Sequence, residues 1–256
     1  MAVRLASVHF RPQVALRQFT ACAAAALSLV TAAACTSHKS KPAPNLSASA
    51  ASASAAAALA DLKHQASAAE ALSFTASYEA QGNDPPRTGT VKVFHTPTAL
   101  RIDVDEAGTN VRILVTDKGT FSCKFSGGAG KNPLCVTLAG PGQSIPATLD
   151  PGLQHLFTSA LDEIISGTGL HVGPAPDRTT AASGSPASCF AIASVPSGSD
   201  LAPGTYCFAN GLLTSAEFRA SSLRLTKVGP APSTSDFALP AQPAPLASGS
   251  ASPTRS

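Results

Sequence analysis

The apolar positions of this chain change their period along its length. Leu59, Leu62, Ala66, Ala69 and Leu72 recur three and four residues apart, which places them on one face of an α-helix. From Phe74 the period becomes two. Phe74, Ala76 and Tyr78 alternate with polar residues, as do Val91 and Val93, then Leu100, Ile102 and Val104, then Val111, Ile113 and Val115; Phe121, Cys123 and Phe125 continue the series. Gly82-Asn83-Asp84-Pro85, Thr96-Pro97, Glu106-Ala107-Gly108 and Asp117-Lys118-Gly119 supply turns between these runs. The pattern predicts a meander of antiparallel strands with one buried face. Asp150-Pro151 then offers an N-cap and a first-turn proline, and Leu153, Leu156, Phe157, Ala160, Leu161, Ile164 and Ile165 follow at helical spacing. A helix is therefore expected over 150–166, with Gly167 as its stop. The Pro/Gly/Ser-rich stretch 173–186 is expected to be a mobile loop. Strands resume at 189–195 and 205–209, Asn210-Gly211 has the composition of a tight hairpin turn, and strands over 212–220 and 222–228 complete the sheet.

The two ends have a different character. Residues 1–18 carry Arg4, Arg11 and Arg17 and no acid, whereas 19–34 are uncharged, mostly apolar and end in small residues. This is the pattern of a secretory signal peptide, and its apolar part is shorter than the ~20 residues of a membrane span. Cys35 directly follows, so the segment resembles the lipobox of bacterial lipoproteins, in which such a cysteine receives a diacylglycerol and becomes the mature N-terminus. Lipoboxes usually carry Leu three positions earlier, where this chain has Ala32. Ala32-Ala33-Ala34 also satisfies the rule for ordinary signal peptidase. The cysteines bear on the choice: Cys123, Cys135, Cys189 and Cys207 form an even set, so an unmodified Cys35 would be an odd thiol in an oxidising compartment. The expectation is a lipid anchor at Cys35 on the extracytoplasmic face of the cell membrane, with release as a soluble protein as the alternative. The Ser/Ala-rich stretch 35–58 is expected to be a flexible tether, 59–240 one folded domain, and 241–256 a disordered tail.

The formal charge of +3 belongs to the leader. Without its three arginines, the rest has 15 Lys+Arg against 15 Asp+Glu and is neutral. No basic cluster remains, so no nucleic-acid partner is expected.

Two stretches carry a family resemblance. Gly89-Thr90-Val91-Lys92-Val93, followed by Pro97 and Leu100-Arg101-Ile102-Asp103, and the segment from Ile113 through Asp117-Lys118-Gly119 to Phe121 resemble the LolA/LolB/LppX-LprG-like lipoprotein-carrier superfamily. Gly211-Leu212-Leu213-Thr214 and the closing Asp236-Phe237-Ala238-Leu239-Pro240 resemble its C-terminal end. The resemblance covers roughly residues 59–240. It implies an α+β fold: an antiparallel half-open β-barrel with helices packed against its concave face, enclosing an apolar cavity for acyl chains.

On that reading Val91, Val93, Leu100, Ile102, Val104, Val111, Ile113 and Val115 of the sheet, with Phe157, Leu161, Ile164 and Ile165 of the helix, are the cavity candidates. A closed, packed core is the alternative, because an acyl chain and a side chain favour the same neighbours. Local pairing, Cys123 with Cys135 and Cys189 with Cys207, is the simplest of the three connectivities. A zinc site is disfavoured by the absence of a C-x-x-C pair, and His38, His64, His95, His155 and His171 share no ligand spacing. Asp103 and Asp105 fall on one strand face, where paired acids usually serve solubility. No nucleophile or phosphate-loop motif is present, so no catalytic residue, cofactor or metal is expected. The expected function is non-covalent binding of a lipid, glycolipid or other amphiphile for transport or presentation. The alternative is an interaction or sensor module that binds an envelope protein without a lipid.

Overall fold

The computed structural model describes residues 46–244, apart from 84–85, 107, 127–131, 144, 146–155, 180–184 and 200. The first helix, α1, spans Leu46–Ala71. Its inward face is Ala58, Leu62, Ala66 and Ala69, all buried, with Leu59 packed beside them. The helix starts earlier than the apolar period predicts, because 46–58, assigned by composition to a tether, are helical. Alanine has the highest helix propensity and supports a helix without an apolar stripe. Residues 51–57 are correspondingly almost all exposed.

Eleven strands follow: β1 Phe74–Asn83, β2 Pro86–Thr96, β3 Ala99–Glu106, β4 Thr109–Thr116, β5 Gly119–Phe125, β6 Pro133–Ala139, β7 His171–Thr179, β8 Pro186–Ser194, β9 Gly204–Ala209, β10 Leu212–Phe218 and β11 Ser221–Gly229. Between β6 and β7 lies α2, Ser159–Ser166. The strands form one antiparallel sheet in the order β6-β5-β4-β3-β2-β1-β11-β10-β9-β8-β7. Two meanders, β1–β6 and β7–β11, thus join where β1 pairs with β11. The sheet is not closed; β6 and β7 are its edges.

Three further elements differ from expectation. The stretch 173–186, expected as a loop, instead holds most of β7, which occupies 171–179 and pairs with β8 despite Pro174 and Pro176. An edge strand needs only one side of its backbone for the ladder, so proline is tolerated there. β6 has no counterpart among the expected strands. The helix expected over 150–166 is an α-helix only from Ser159, preceded by a short 3-10 turn at Leu156 and Phe157; Asp150-Pro151 lie outside the described residues. Gly167 ends it as expected, in the left-handed region at φ 64°, with its N–H donating to Glu163 O.

The Asn210-Gly211 turn forms with both residues at positive φ, 52° and 80°, as a two-residue hairpin requires. Gly211 also donates its N–H to Gln65 Oε1 of α1 at 2.9 Å, and a Cβ there would lie 2.9 Å from that of Ala68. The hairpin is thereby pressed against the helix.

Both expected disulfides form, Cys123–Cys135 across β5 and β6 and Cys189–Cys207 across β8 and β9. Each contributes about 2–4 kcal/mol by restricting the unfolded chain.

One large core contains Tyr78, Val93, Ile102, Ile113 and Leu138 from the first meander, Val172, Phe190, Tyr206 and Leu223 from the second, and the inward faces of both helices. The helices therefore lie on the concave side of a curved, open sheet. Tyr78 stands at its centre, donating its hydroxyl to Leu213 O at 3.0 Å, and burial pushes its phenol well above the usual range. Among the described residues no helix is long and apolar enough to cross a membrane.

Candidate functional site

The strand registers arrange the concave face as a grid. Val91, Val104, Val111, Lys124 and Leu134 form one row across β2–β6; Val93, Ile102, Ile113, Ser122 and Val136 form the next; His95, Leu100, Val115 and Thr120 begin a third. All twelve cavity candidates belong to the single large core or pack against it. They divide into two groups. Val91, Val93, Ile102, Ile113 and Ile164 are 0–3% exposed, and Leu100 and Phe157 are also buried, so side chains rather than water-sized space surround them. Val104, Val111 and Val115 on the sheet, and Leu161 and Ile165 on α2, are half-buried.

The sheet half nearest β6 carries the accessible apolar surface. α1 packs on β7 and β10, and α2 packs on α1. On β3, β4 and β6, Val104, Val111, Val115 and Val136 are half-buried, and Leu134 on the edge strand is 69% exposed. These side chains form an apolar strip across β3, β4 and β6, interrupted at β5.

The interruption reverses part of the sequence reading. Phe121, Cys123 and Phe125 alternate like the other apolar residues, but they face the opposite side of the sheet. There they join Leu114 and Cys135 in a second core. The reason is the two-residue turn at Asp117-Lys118: it pairs Val115 with Thr120 and Ile113 with Ser122. Thr120, Ser122 and Lys124 therefore occupy the concave face. Register counting through that short turn carries the signal.

The second core needs a cover on the convex side, and the C-terminal segment supplies it. Phe237, Leu239 and Ala241 pack on it, and Ala244 pairs with β6 through Thr137 N–H to Ala244 O at 3.0 Å and Ala244 N–H to Cys135 O at 2.9 Å. Residues 241–244, expected to begin a disordered tail, are therefore placed on the sheet. Arg101 anchors this strap by donating to Asp236 O at 2.9 Å. Its guanidinium also stacks 4.3 Å from the Phe94 ring centroid.

Asp103 holds the arginines in place. Arg101 Nε and Arg112 Nε donate to its Oδ1 at 2.9 and 2.7 Å. Burial alone would raise this carboxyl, but the hydrogen bonds and charges of the two arginines outweigh it and hold Asp103 below the usual carboxylate range. Asp105 is exposed and pairs with Asn110 only in register. Of the two acids, one is an internal tie and the other faces solvent.

α2 is tied down at several points. Lys63 Nζ of α1 donates to Ser166 O at 3.1 Å, the Glu163 carboxylate accepts from Ser199 Oγ and from Leu201 N–H, and the Phe157 ring lies 5.2 Å from that of Tyr78. His95 donates through Nδ1 to Leu72 O at 2.8 Å and stacks on Phe74; burial lowers its pKa against the opposing effect of that hydrogen bond. His64 and His171 are exposed, whereas Cys35, His38 and His155 lie outside the described residues. Among the described residues no three His, Cys, Asp or Glu side chains are grouped to hold a metal ion.

No protein-family model matches the sequence, and no curated protein matches it. Solved structures of MucB are similar. One of MucB in complex with MucA(peri) is 13% identical over 71% of this chain and 59% of that one, with a TM-score of 0.40. MucB alone is 14% identical over 72% and 63%, TM-score 0.41. The Pseudomonas aeruginosa MucA/MucB complex is 16% identical over 71% and 60%, TM-score 0.40. The chain spans about 60% of the length of these structures.

Proposed function

We propose that this chain is a LolA-like lipoprotein, anchored through Cys35 to the extracytoplasmic face of the cell membrane, that binds a lipid or other amphiphile non-covalently for transport or presentation. The observation that carries the reading is the half-exposed apolar strip of Val104, Val111, Val115 and Val136 on the concave face, on strands other than β7 and β10, where α1 packs. The sequence resemblance and the open antiparallel sheet with helices on its concave side support the same fold. An acyl chain covering about 200 Å² of that strip would gain roughly 5 kcal/mol at ~25 cal/mol per Å², before the cost of association. That is useful affinity from a surface site, with no deep tunnel required.

A second reading, a protein-interaction module without a lipid, draws on the near-zero exposure of Val93 and Ile102. These residues already have protein neighbours, and the strip above them would then receive a partner's side chains.

Mass spectrometry of the full chain extracted from its own membranes tests the proposal. The denaturing spectrum reports whether a diacylglycerol is covalently attached at Cys35. The native spectrum, less that mass, reports a bound amphiphile. A lipid-sized increment in both is expected. A bare Cys35 would overturn the anchor, and a native mass equal to the denatured one would favour the second reading.

A further inference from the structure

We propose that the amphiphile is anionic, with its acidic headgroup held by Lys124 and its chain lying across the β3–β4 valines. This rests on the reading of the concave strip as a binding surface and specifies what binds there.

Charge is sparse and specifically placed on this otherwise apolar face. On β1–β6 the concave positions carry few charged side chains. Arg87 and Glu106 lie at one end of the strands and pair with each other at 3.7 Å. Lys124 stands in the grid itself, opposite Val111 on β4 and Leu134 on β6. It is exposed and makes no ion pair with a described residue. On the other face of the sheet, by contrast, Arg101 and Arg112 share Asp103.

Its column is polar throughout. Ser122 is two residues away on the same face, about 6.6 Å along the strand. Thr120 follows, only 3% exposed. Neither hydroxyl bonds to a described residue. One strand over, about 4.8 Å away, the β4 column is Val111, Ile113 and Val115. A sharp boundary between an apolar column and a column of one cation and two hydroxyls matches the boundary in an anionic amphiphile. Its chain would cover Val104, Val111 and Val115, while its headgroup meets the Lys124 ammonium and the Ser122 hydroxyl. The lysine's methylene stem can lie along the apolar strip while its ammonium reaches the headgroup at the edge.

Calorimetric titration of the full chain with oleate and with monoolein tests this, since the two probes share a chain and differ in charge. Oleate is expected to bind more tightly and to weaken with added salt, monoolein to be salt-insensitive. Lys124→Gln is expected to weaken oleate about fivefold, remove its salt dependence and leave monoolein unchanged. Monoolein binding with oleate affinity unaffected by Lys124→Gln would overturn the anionic assignment alone. Binding of neither probe to the parent would overturn the amphiphile reading itself.

Discussion

Phe157→Ala is expected to destabilise the fold by about 3–5 kcal/mol, the usual cost of emptying a buried phenylalanine site. Phe157 is the point at which the segment leading into α2 reaches the centre of the sheet. It is buried, and its ring sits 5.2 Å from that of Tyr78 at an interplanar angle of 50°. Tyr78 in turn is fully buried and committed to Leu213 O, so it cannot move to fill the space. Two other ties of α2, from Lys63 to Ser166 and through Glu163, lie toward its C-terminal end. Urea unfolding checks the value: the midpoint should fall with little change in slope. A loss below about 1 kcal/mol would mean that this segment is a detachable cover and not part of the core.

Asp103→Asn is expected to cost about 2–3 kcal/mol at neutral pH, because it removes the one anion shared by two partly buried arginines. The effect should depend on pH with a definite sign. The arginines depress the Asp103 pKa below its unfolded value of 3.8, so its contribution is complete above that pH. It is lost as pH falls through the lower folded value, where the carboxyl takes up a proton. A protonated Asp103 is as neutral as the asparagine that replaces it, so the stability curves of parent and variant should converge once pH has fallen below the depressed folded value. Loosening of Arg101 should also free the strap at Asp236, raising amide exchange at Ala244 and Thr137, which pair across the β6 edge. A stability gap that stays constant with pH would show that the arginines are held by other contacts.

Much of the fold is legible in the sequence because most strands are half-buried. β2, β3 and β4 alternate cleanly, and their turns carry glycine or proline. Asn210-Gly211 specifies its turn chemically. The elements that escape notice depend on distant parts of the chain. β6 reads Pro133-Leu134-Cys135-Val136-Thr137-Leu138-Ala139, with little alternation, since the strap from 237–244 covers its convex face and the core its concave one. β7 is hidden by its prolines, which only an edge position permits. The pairing of β1 with β11 is invisible to any local pattern, yet it joins the two meanders into one sheet. The site is legible in part. The β3–β4 valines are identified by their period, but which of them are packed and which remain accessible depends on tertiary packing that no local pattern encodes. Lys124 escapes a reading in which Phe121, Cys123 and Phe125 simply continue the apolar series of one buried face, although the two-residue turn before β5 determines the register.

The proposed binding surface consists of the accessible valines, whereas their neighbours form core. The most direct measurement is the monoolein affinity of Val111→Phe in the full chain, read together with its stability. Val111 is half-buried, so the larger ring should be accommodated within about 1 kcal/mol, whereas overpacking a filled core costs ~1–3 kcal/mol. A binding surface at these valines should leave near-parental stability with monoolein affinity reduced about tenfold or more. Unchanged affinity in a stable Val111→Phe protein would contradict it.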